Sequence, residues 1–189
     1  MLGIVSHPAA AQSNEDQFQV GAGVAGAVSA ELDGTDIGAS VRFSWYPTTV
    51  VGADAEVGFY PGEFAATYSS RRVEGLFGVT IGPRIGLFRP FAKIRPGFVA
   101  FHEASEPFAC IAIFPPPLSC TLAGGKTVFA LDVGGGVELF PAARTSLRVD
   151  IGDRLMRYPG PVIDSDGMVR EDAYFSHEFR FGIGVGLRF

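Results

Sequence analysis

The sequence predicts an all-β protein, an eight-stranded antiparallel up-and-down β-barrel that crosses a membrane with its strands. Three observations predict this fold. Apolar residues alternate with small or polar ones along eight segments, the polar faces carry balanced charge, and short connections between segments alternate with longer ones. The 189 residues suit one domain, and no apolar run approaches the ~20 residues that a membrane-spanning helix needs.

Each strand is predicted from an alternation of period two, because successive side chains of a strand point to opposite faces of the sheet. The final segment is the clearest, with Phe179, Phe181, Ile183, Val185 and Leu187 separated by glycine and charged residues. The eight predicted strands cover residues 17–29, 36–46, 51–60, 71–86, 91–101, 127–140, 145–156 and 176–189.

The faces opposite the apolar ones carry seven basic and seven acidic residues, separated mostly by Gly, Ala and Ser. A narrow barrel lumen explains this composition, because small residues make room for long ones and a buried charge needs a partner. We therefore expect the apolar faces to point outward to lipid and a lumen ion-pair network to fill the interior. Its predicted members are Arg42, Asp54, Glu56, Glu74, Arg84, Lys93, Arg95, Asp132, Glu138, Arg148, Asp150, Arg154, Glu178 and Arg180.

The connections after the second, fourth and sixth strands are about four residues long. Those after the third, fifth and seventh span roughly ten to twenty-five residues, whereas the first is short. Short turns on one side and loops on the other are typical of outer-membrane barrels, with the turns and both termini in the periplasm. Two aromatic girdles are also expected. They are Trp45, Tyr46, Phe91, Phe140 and Phe189 on the turn side and Phe59, Tyr60, Phe101, Tyr174 and Phe175 on the loop side.

The first eleven residues are similar to the end of a secretory signal, with Ala9-Ala10-Ala11 as a cleavage site. The barrel domain is then expected over residues 12–189, and a disordered N-terminus is the alternative. Cys110 and Cys120 suit a loop disulfide in an oxidising compartment, with free thiols as the alternative. No cofactor or metal is expected, because GxxxxGK[ST], HExxH and CxxC are missing and no His/Cys cluster lies nearby. The mild net charge of −5 argues against nucleic acid as a partner.

From about Gln17 to Phe189 the chain resembles the eight-stranded outer-membrane β-barrel family, which includes OmpA-type transmembrane domains and OmpX-like proteins. The most specific element of the resemblance is the last strand, with terminal Phe189 preceded by Leu187, Val185, Ile183 and Phe181. The resemblance implies that these five residues form a signal read by the barrel-assembly machinery. It also implies a location in the bacterial outer membrane, among its lipids.

These observations favour a monomeric, non-enzymatic membrane protein with a structural or surface-interaction role. Its lumen is expected to be plugged by ion pairs, and its function is expected to reside in extracellular loops at Glu103–Lys126 and Tyr158–Ala173. The apolar residues of "CIAIFPPPLSC", Ile111, Ile113, Phe114 and Leu118, either contact a partner or form a lid over the barrel mouth. The segment Asp164–Met168, "DSDGM", is expected to be a turn rather than a calcium loop.

Three alternatives remain at this point. The first is a small channel for ions or hydrophobic solutes, and the second is a soluble lipocalin-like carrier with the two faces reversed. The third is a lipid-modifying enzyme using Ser176, His177 and Glu178, although Ser176 and His177 are adjacent in a strand, point to opposite faces and cannot pair. The lumen hypothesis itself predicts that Asp150→Ala lowers barrel stability.

Overall fold

The computed structural model describes residues 17–29, 31, 34–62, 71–103, 110 and 112–189, and it contains a closed barrel of eight strands. The signal-like segment at residues 1–11, the proposed start of the barrel domain at residue 12, and Ile111 lie outside the described residues. The barrel strands are β1 Phe18–Ser29, β2 Gly34–Trp45, β3 Val51–Tyr60, β4 Arg72–Ile81, β5 Phe88–Phe101, β6 Lys126–Ala142, β7 Thr145–Tyr158 and β10 Tyr174–Arg188. The remaining elements are α1 Leu118–Ala123, β8 Val162–Ile163 and β9 Val169–Arg170.

The barrel is antiparallel throughout, and the predicted fold class is confirmed. Its order around the wall is β1-β10-β7-β6-β5-β4-β3-β2, and β1 pairs with β2 on its other side. The closing seam joins β1 to β10 from Gln19↔Arg188 to Ser29↔Glu178. Closure gives every barrel strand a neighbour on both sides, so no barrel strand is left as an edge.

The seam also shows how glycine in a strand can serve packing on the outer face. Gly26 lies opposite Phe181 in the pairing of β1 with β10. A Cβ on Gly26 would lie 2.1 Å from the Phe181 ring, so the ring covers the backbone there. This cross-strand pair compensates for the missing glycine side chain.

Side chains alternate between an exposed apolar outer face and a buried charged interior. On the outer face Phe77, Ile183 and Leu187 are 63%, 63% and 64% exposed. Arg95 and Asp132 are completely buried inside. This is the reverse of a water-soluble barrel, where apolar side chains fill the centre.

Strand β4 is shorter than predicted, because it ends at Ile81 and residues 82–87 form a connection. Pro83 cannot donate a ladder hydrogen bond, which disfavours continuation of the strand. Gly86 then adopts a φ of +61°, which allows the chain to turn back into β5.

The long connections contain three short elements that the alternation did not predict. Helix α1 lies between β5 and β6, and the hairpin β8–β9 lies between β7 and β10. The helix follows Pro117, and Gly125 after it has a φ of +78°. Within the described ranges, no helix has the length and apolar character to cross a membrane.

Candidate functional site

The barrel interior has two regions of different chemistry. The ion-pair network contains eight cations and eight anions among the described residues. Its cations are Arg42, Arg72, Arg89, Lys93, Arg95, Arg148, Arg154 and Arg180, and its anions are Asp36, Asp54, Glu56, Glu74, Asp132, Glu138, Asp150 and Glu178. The apolar mouth lies at the loop end and is made of Leu76, Val99, Phe101, Leu118, Leu122, Val128, Ala130, Met156, Tyr158 and Val162.

Strand register brings many of the network's opposite charges directly together. Arg95 lies opposite Asp132 in the β5–β6 pairing, and its Nε is 2.9 Å from Asp132 Oδ2. Glu138 lies opposite Arg148 in the β6–β7 pairing, with Oε1 and Nη1 3.3 Å apart. Cross-strand neighbours of opposite charge stabilise a sheet, and like charges opposite one another destabilise it.

Other ion pairs cross the lumen between opposite walls. β3 and β7 lie on opposite sides of the barrel, and Arg148 Nη2 on β7 is 3.1 Å from Asp54 Oδ2 on β3. β4 and β10 are opposite as well, and Arg180 Nη2 is 2.7 Å from Glu74 Oε1. Arg72 Nη1 and Glu178 Oε1 make a second link of this kind, at 2.8 Å. The interior is therefore spanned by charge-assisted hydrogen bonds rather than lined by separate side chains.

Inward-facing glycines provide the space for these long side chains. A Cβ on Gly58 would lie 2.7 Å from Glu74, and one on Gly52 would lie 2.4 Å from the Tyr46 ring. Larger residues at either position would collide with the groups that fill the lumen. The glycine content of the polar faces therefore has a packing reason.

The structure places thirteen of the fourteen predicted network residues in the buried interior, and Arg84 is the correction. Arg84 is exposed because β4 ends before it, and its guanidinium lies over the Phe140 ring at 4.5 Å. Arg72, Arg89 and Asp36 also belong to the network, although they were not among its predicted members. Arg72 and Asp36 shared the face of Glu74 and Arg42, so the alternation contained their signal, whereas Arg89 fell before the predicted start of its strand.

Half of the predicted aromatic girdle is also corrected. Trp45, Phe59, Phe175 and Phe189 are exposed on the outside, and Tyr174 is half-buried. The other five, Tyr46, Tyr60, Phe91, Phe101 and Phe140, face inward. Neighbouring residues of a strand point to opposite faces, so Trp45 and Tyr46 cannot both be on the outside.

The inward aromatic rings support the arginines of the network. Arg89 lies 3.9 Å above the centre of the Tyr46 ring, Arg148 lies 4.1 Å above Phe91, and Arg72 lies 4.6 Å above Tyr60. Such cation–π contacts stabilise a guanidinium that has left water. Tyr46 and Tyr60 also donate hydrogen bonds from their hydroxyls to Glu138 and Glu74.

A small cavity lies beside β1, which contributes no charge to the network. Its volume is about 10 Å³, and it is lined by Arg42, Glu56, Asp150 and Arg180 with glycines of β1 and β10. This volume suits about one water molecule. It is much smaller than a continuous aqueous path along the barrel.

Helix α1 closes the apolar mouth. Leu118 and Leu122 are four residues apart on one face of the helix, and they are 3% and 0% exposed. They lie in one cluster with Met156 and Val128 from the barrel wall. The position of Leu118 therefore agrees with the hypothesis that the cysteine loop forms a lid over the barrel mouth.

Phe114 in the same loop is not part of the apolar mouth and is 86% exposed, and Ile113 is 46% exposed. A disulfide joins Cys110 to Cys120, whose Cα atoms are 5.7 Å apart. The Ile163 backbone N–H donates to the Pro116 carbonyl at 2.9 Å, which ties this loop to β8. The loop therefore has two parts. Its Leu118 end covers the barrel mouth, and its Phe114 end is exposed but held by the disulfide and by β8.

The predicted turn at Asp164–Met168 closes on itself. Asp164 Oδ1 accepts hydrogen bonds from the backbone N–H groups of Asp166 and Met168 at 3.1 and 2.9 Å, and Oδ2 accepts one from Arg170 Nε at 2.8 Å. Desolvation opposes ionisation, but these hydrogen bonds and the Arg170 charge hold the pKa of the Asp164 carboxyl below its usual value. In the described part of the chain, no cluster of His, Cys, Asp and Glu could hold a metal ion.

Ser176 and His177 do not come together. Ser176 is buried on the inner face, whereas the His177 side chain is on the outside, with Nδ1 2.7 Å from Asp153 Oδ2. Nucleophilic catalysis needs the nucleophile within hydrogen-bond reach of its base. The geometry of this pair does not meet that requirement.

Comparisons with known proteins identify the fold. Neither a protein-family model nor a curated protein sequence matches the chain. The crystal structure of Neisserial surface protein A (NspA) matches 91% of this chain and 97% of its own, with a TM-score of 0.57 and 16% identity. The N-terminal β-barrel domain of Pseudomonas aeruginosa OprF matches with a TM-score of 0.48 and 14% identity, covering 92% of this chain and 99% of that domain.

A third similar structure is Ail, the attachment invasion locus protein of Yersinia pestis, in complex with the heparin analogue sucrose octasulfate. It has a TM-score of 0.46 and 15% identity, and the match covers 93% of this chain and 99% of Ail. At these identities the likeness is one of fold, and the NspA match carries it. The chain has the fold of the eight-stranded outer-membrane β-barrels.

Proposed function

We propose that the protein is an integral protein of the bacterial outer membrane that acts through the loops at its apolar mouth. The observation that carries this proposal is the inversion of the barrel. Large apolar side chains are exposed around the wall, while the arginines of the ion-pair network are buried. An exposed apolar surface of this extent is suited to hydrocarbon, and a closed barrel satisfies the backbone hydrogen bonds that lipid cannot.

The proposed orientation puts the turns and both termini in the periplasm and the mouth outside the cell. The connections after β2, β4 and β6 are short, whereas those after β3, β5 and β7 are longer. The last strand, with Phe181, Ile183, Val185, Leu187 and Phe189 facing outward, is proposed as the signal for the barrel-assembly machinery.

The proposed barrel is closed rather than conducting. Ion pairs connect opposite walls, α1 covers the mouth, and an eight-stranded barrel is just wide enough for its own side chains. We therefore propose a non-enzymatic role at the cell surface, because Ser176 and His177 do not come together and the loops expose apolar side chains such as Phe114.

Fractionation and gel mobility test the location. The protein is expected in the outer-membrane fraction, and its mobility in detergent gels is expected to change on heating. Purified protein in planar bilayers is expected to leave the conductance at baseline. Recovery in the aqueous fraction without detergent would overturn the proposal, and steady conductance would replace the closed barrel by a channel.

Cysteine labelling tests the orientation. Both native cysteines are in the disulfide, so an introduced cysteine is the only free thiol. Ala173→Cys lies in the connection before β10, and Thr49→Cys lies in the turn after β2. A membrane-impermeant maleimide is expected to label Ala173→Cys and not Thr49→Cys in intact cells. The reverse pattern would overturn the orientation.

A further inference from the structure

The two ends of the barrel differ in charge. The four connections at the loop end, residues 30–33, 61–71, 102–125 and 159–173, contain nine acidic residues and two basic ones. The three at the turn end, residues 46–50, 82–87 and 143–144, contain two arginines and no acidic residue. The connections therefore carry a formal charge of −7 at the loop end and +2 at the turn end. This end attracts cations and repels anionic partners.

The same end displays apolar side chains that lipid does not explain. Phe114 and Ile113 are exposed in the cysteine loop, and Met168 and Val169 are 61% and 50% exposed in the β8–β9 hairpin. In the proposed orientation these residues lie beyond the lipid-facing wall. Exposed aromatic and methionine side chains away from a membrane are characteristic of protein contact surfaces.

The loop that carries Phe114 is held at several points. Leu118 and Leu122 anchor the following helix in the apolar mouth, and the disulfide restrains the loop from the other side. Ile163 joins the cysteine loop to the hairpin, because it bonds to Pro116 and also pairs with Val169. An aromatic anchor that is already held in place loses little entropy on binding.

We propose that this surface binds a cationic amphipathic polypeptide. This inference rests on the function and orientation proposed above. The apolar side of the partner would cover Phe114, and its basic side chains would face exposed carboxylates such as Asp166, Glu171 and Asp172. Charge complementarity selects this occupant over an anionic lipid or a sulfated polysaccharide, both of which the acidic loops repel.

The test uses the full chain in phosphatidylcholine nanodiscs, with empty nanodiscs as the lipid control. The probe is a fluorescent amphipathic helical peptide of lysine and leucine, and fluorescence anisotropy measures its binding. A peptide of the same composition with the apolar residues scattered tests for the apolar contact. Saturable binding beyond that to empty discs is expected, tighter for the amphipathic peptide and weaker at high salt.

Three variants locate the site, each checked for folding by its heat-dependent gel mobility. Phe114→Ala is expected to weaken binding about tenfold, as for the loss of one aromatic anchor. The triple variant D166N/E171Q/D172N is expected to weaken binding and reduce its salt dependence. The matched control is Val50→Ala, an apolar residue 40% exposed at the turn end, which is expected to leave affinity unchanged.

This inference would be overturned if loaded and empty discs bound the peptide equally, or if Phe114→Ala bound it with unchanged affinity. It would also be overturned if the protein bound dextran sulfate, tested as the anionic probe, more tightly than the peptide. Its failure is separable from that of the proposed function. If impermeant maleimide labels Ala173→Cys in cells but the peptide does not bind, the partner class alone is wrong. If the orientation test itself fails, the proposed function fails with it.

Discussion

The ion-pair network and the apolar mouth are both buried, but they constrain the barrel in different ways. The network draws residues from every barrel strand except β1, and its links join opposite walls. The mouth draws on β4–β7 and is completed by α1 and β8. A misplaced β-strand would leave a buried charge of the network without its partner. Apolar contacts tolerate rearrangement if the packed volume is kept. The network therefore specifies the barrel, and the mouth closes one end of it.

The largest expected effect comes from Arg154→Met in the network. Arg154 is completely buried and contacts both Glu74 and Glu178, so its loss leaves two carboxylates with fewer partners. The free energy of unfolding is expected to fall by about 3–5 kcal/mol. Denaturant unfolding in lipid vesicles, followed by the fluorescence of Trp45, the single tryptophan, measures it. Arg157→Met, on the exposed face of the same strand, is the control. Equal losses in the two variants would contradict a stabilising network.

The second effect is local to the mouth. Leu122→Ala removes a fully buried side chain and leaves a cavity, which costs about 2–4 kcal/mol of lid stability. Because α1 lies in a connection, the loss is expected in lid opening rather than in unfolding of the barrel. Hydrogen exchange is expected to accelerate over residues 112–125 while the strands keep their protection. Ile113→Ala, in the exposed part of the loop, should change neither the exchange of residues 112–125 nor the protection of the strands. A matching loss of strand protection would show that the mouth also specifies the barrel.

The third effect concerns a network residue whose partners each keep a second contact. Asp150→Ala deprives Lys93 and Arg148 of one partner, but Asp132 and Glu138 remain in contact with these cations. We expect a smaller loss than for Arg154→Met, about 1.5–3 kcal/mol. The heat-dependent gel transition should shift to lower temperature. Asp153→Ala, on the outer face of the same strand, should shift it less. An unshifted transition in Asp150→Ala would argue against the network's role in stability.

Most residues of the network were predictable from the sequence, because the alternation of side chains along a strand assigns the outer and the inner face together. With a period of two, fixing Phe181 and Ile183 outward fixes Glu178 and Arg180 inward. Predictions failed where another effect replaced the alternation. β4 ends before Arg84, next to Pro83, and Trp45 and Tyr46 lie on opposite faces although both were predicted in one girdle.

The mouth was less predictable than the network. Helix α1 has only six residues, and two leucines four apart are a weak pattern. Its stability comes from burial of Leu118 and Leu122 against the barrel wall, a contact that only the folded chain creates. The sequence left the cysteine loop as either a lid or a contact surface. The structure buries Leu118 in the lid and exposes Phe114, which we propose as the contact residue.

The smallest expected effect concerns pH and lies outside both regions. The pKa of the Asp164 carboxyl is lowered in the folded turn, so its ionised form stabilises the turn above the ordinary carboxyl pKa of about 4. That stabilisation is lost as the pH falls through the lowered folded pKa. The amide NMR signals of Asp166 and Met168 are expected to move in this acid range, because both amides donate to Asp164. In Asp164→Asn the acceptor remains without an ionisable carboxyl, and the two signals should not titrate. Titration that persists in this variant would assign the change to another group, whereas unfolding of the barrel in the same range would place the acid-sensitive step in the network.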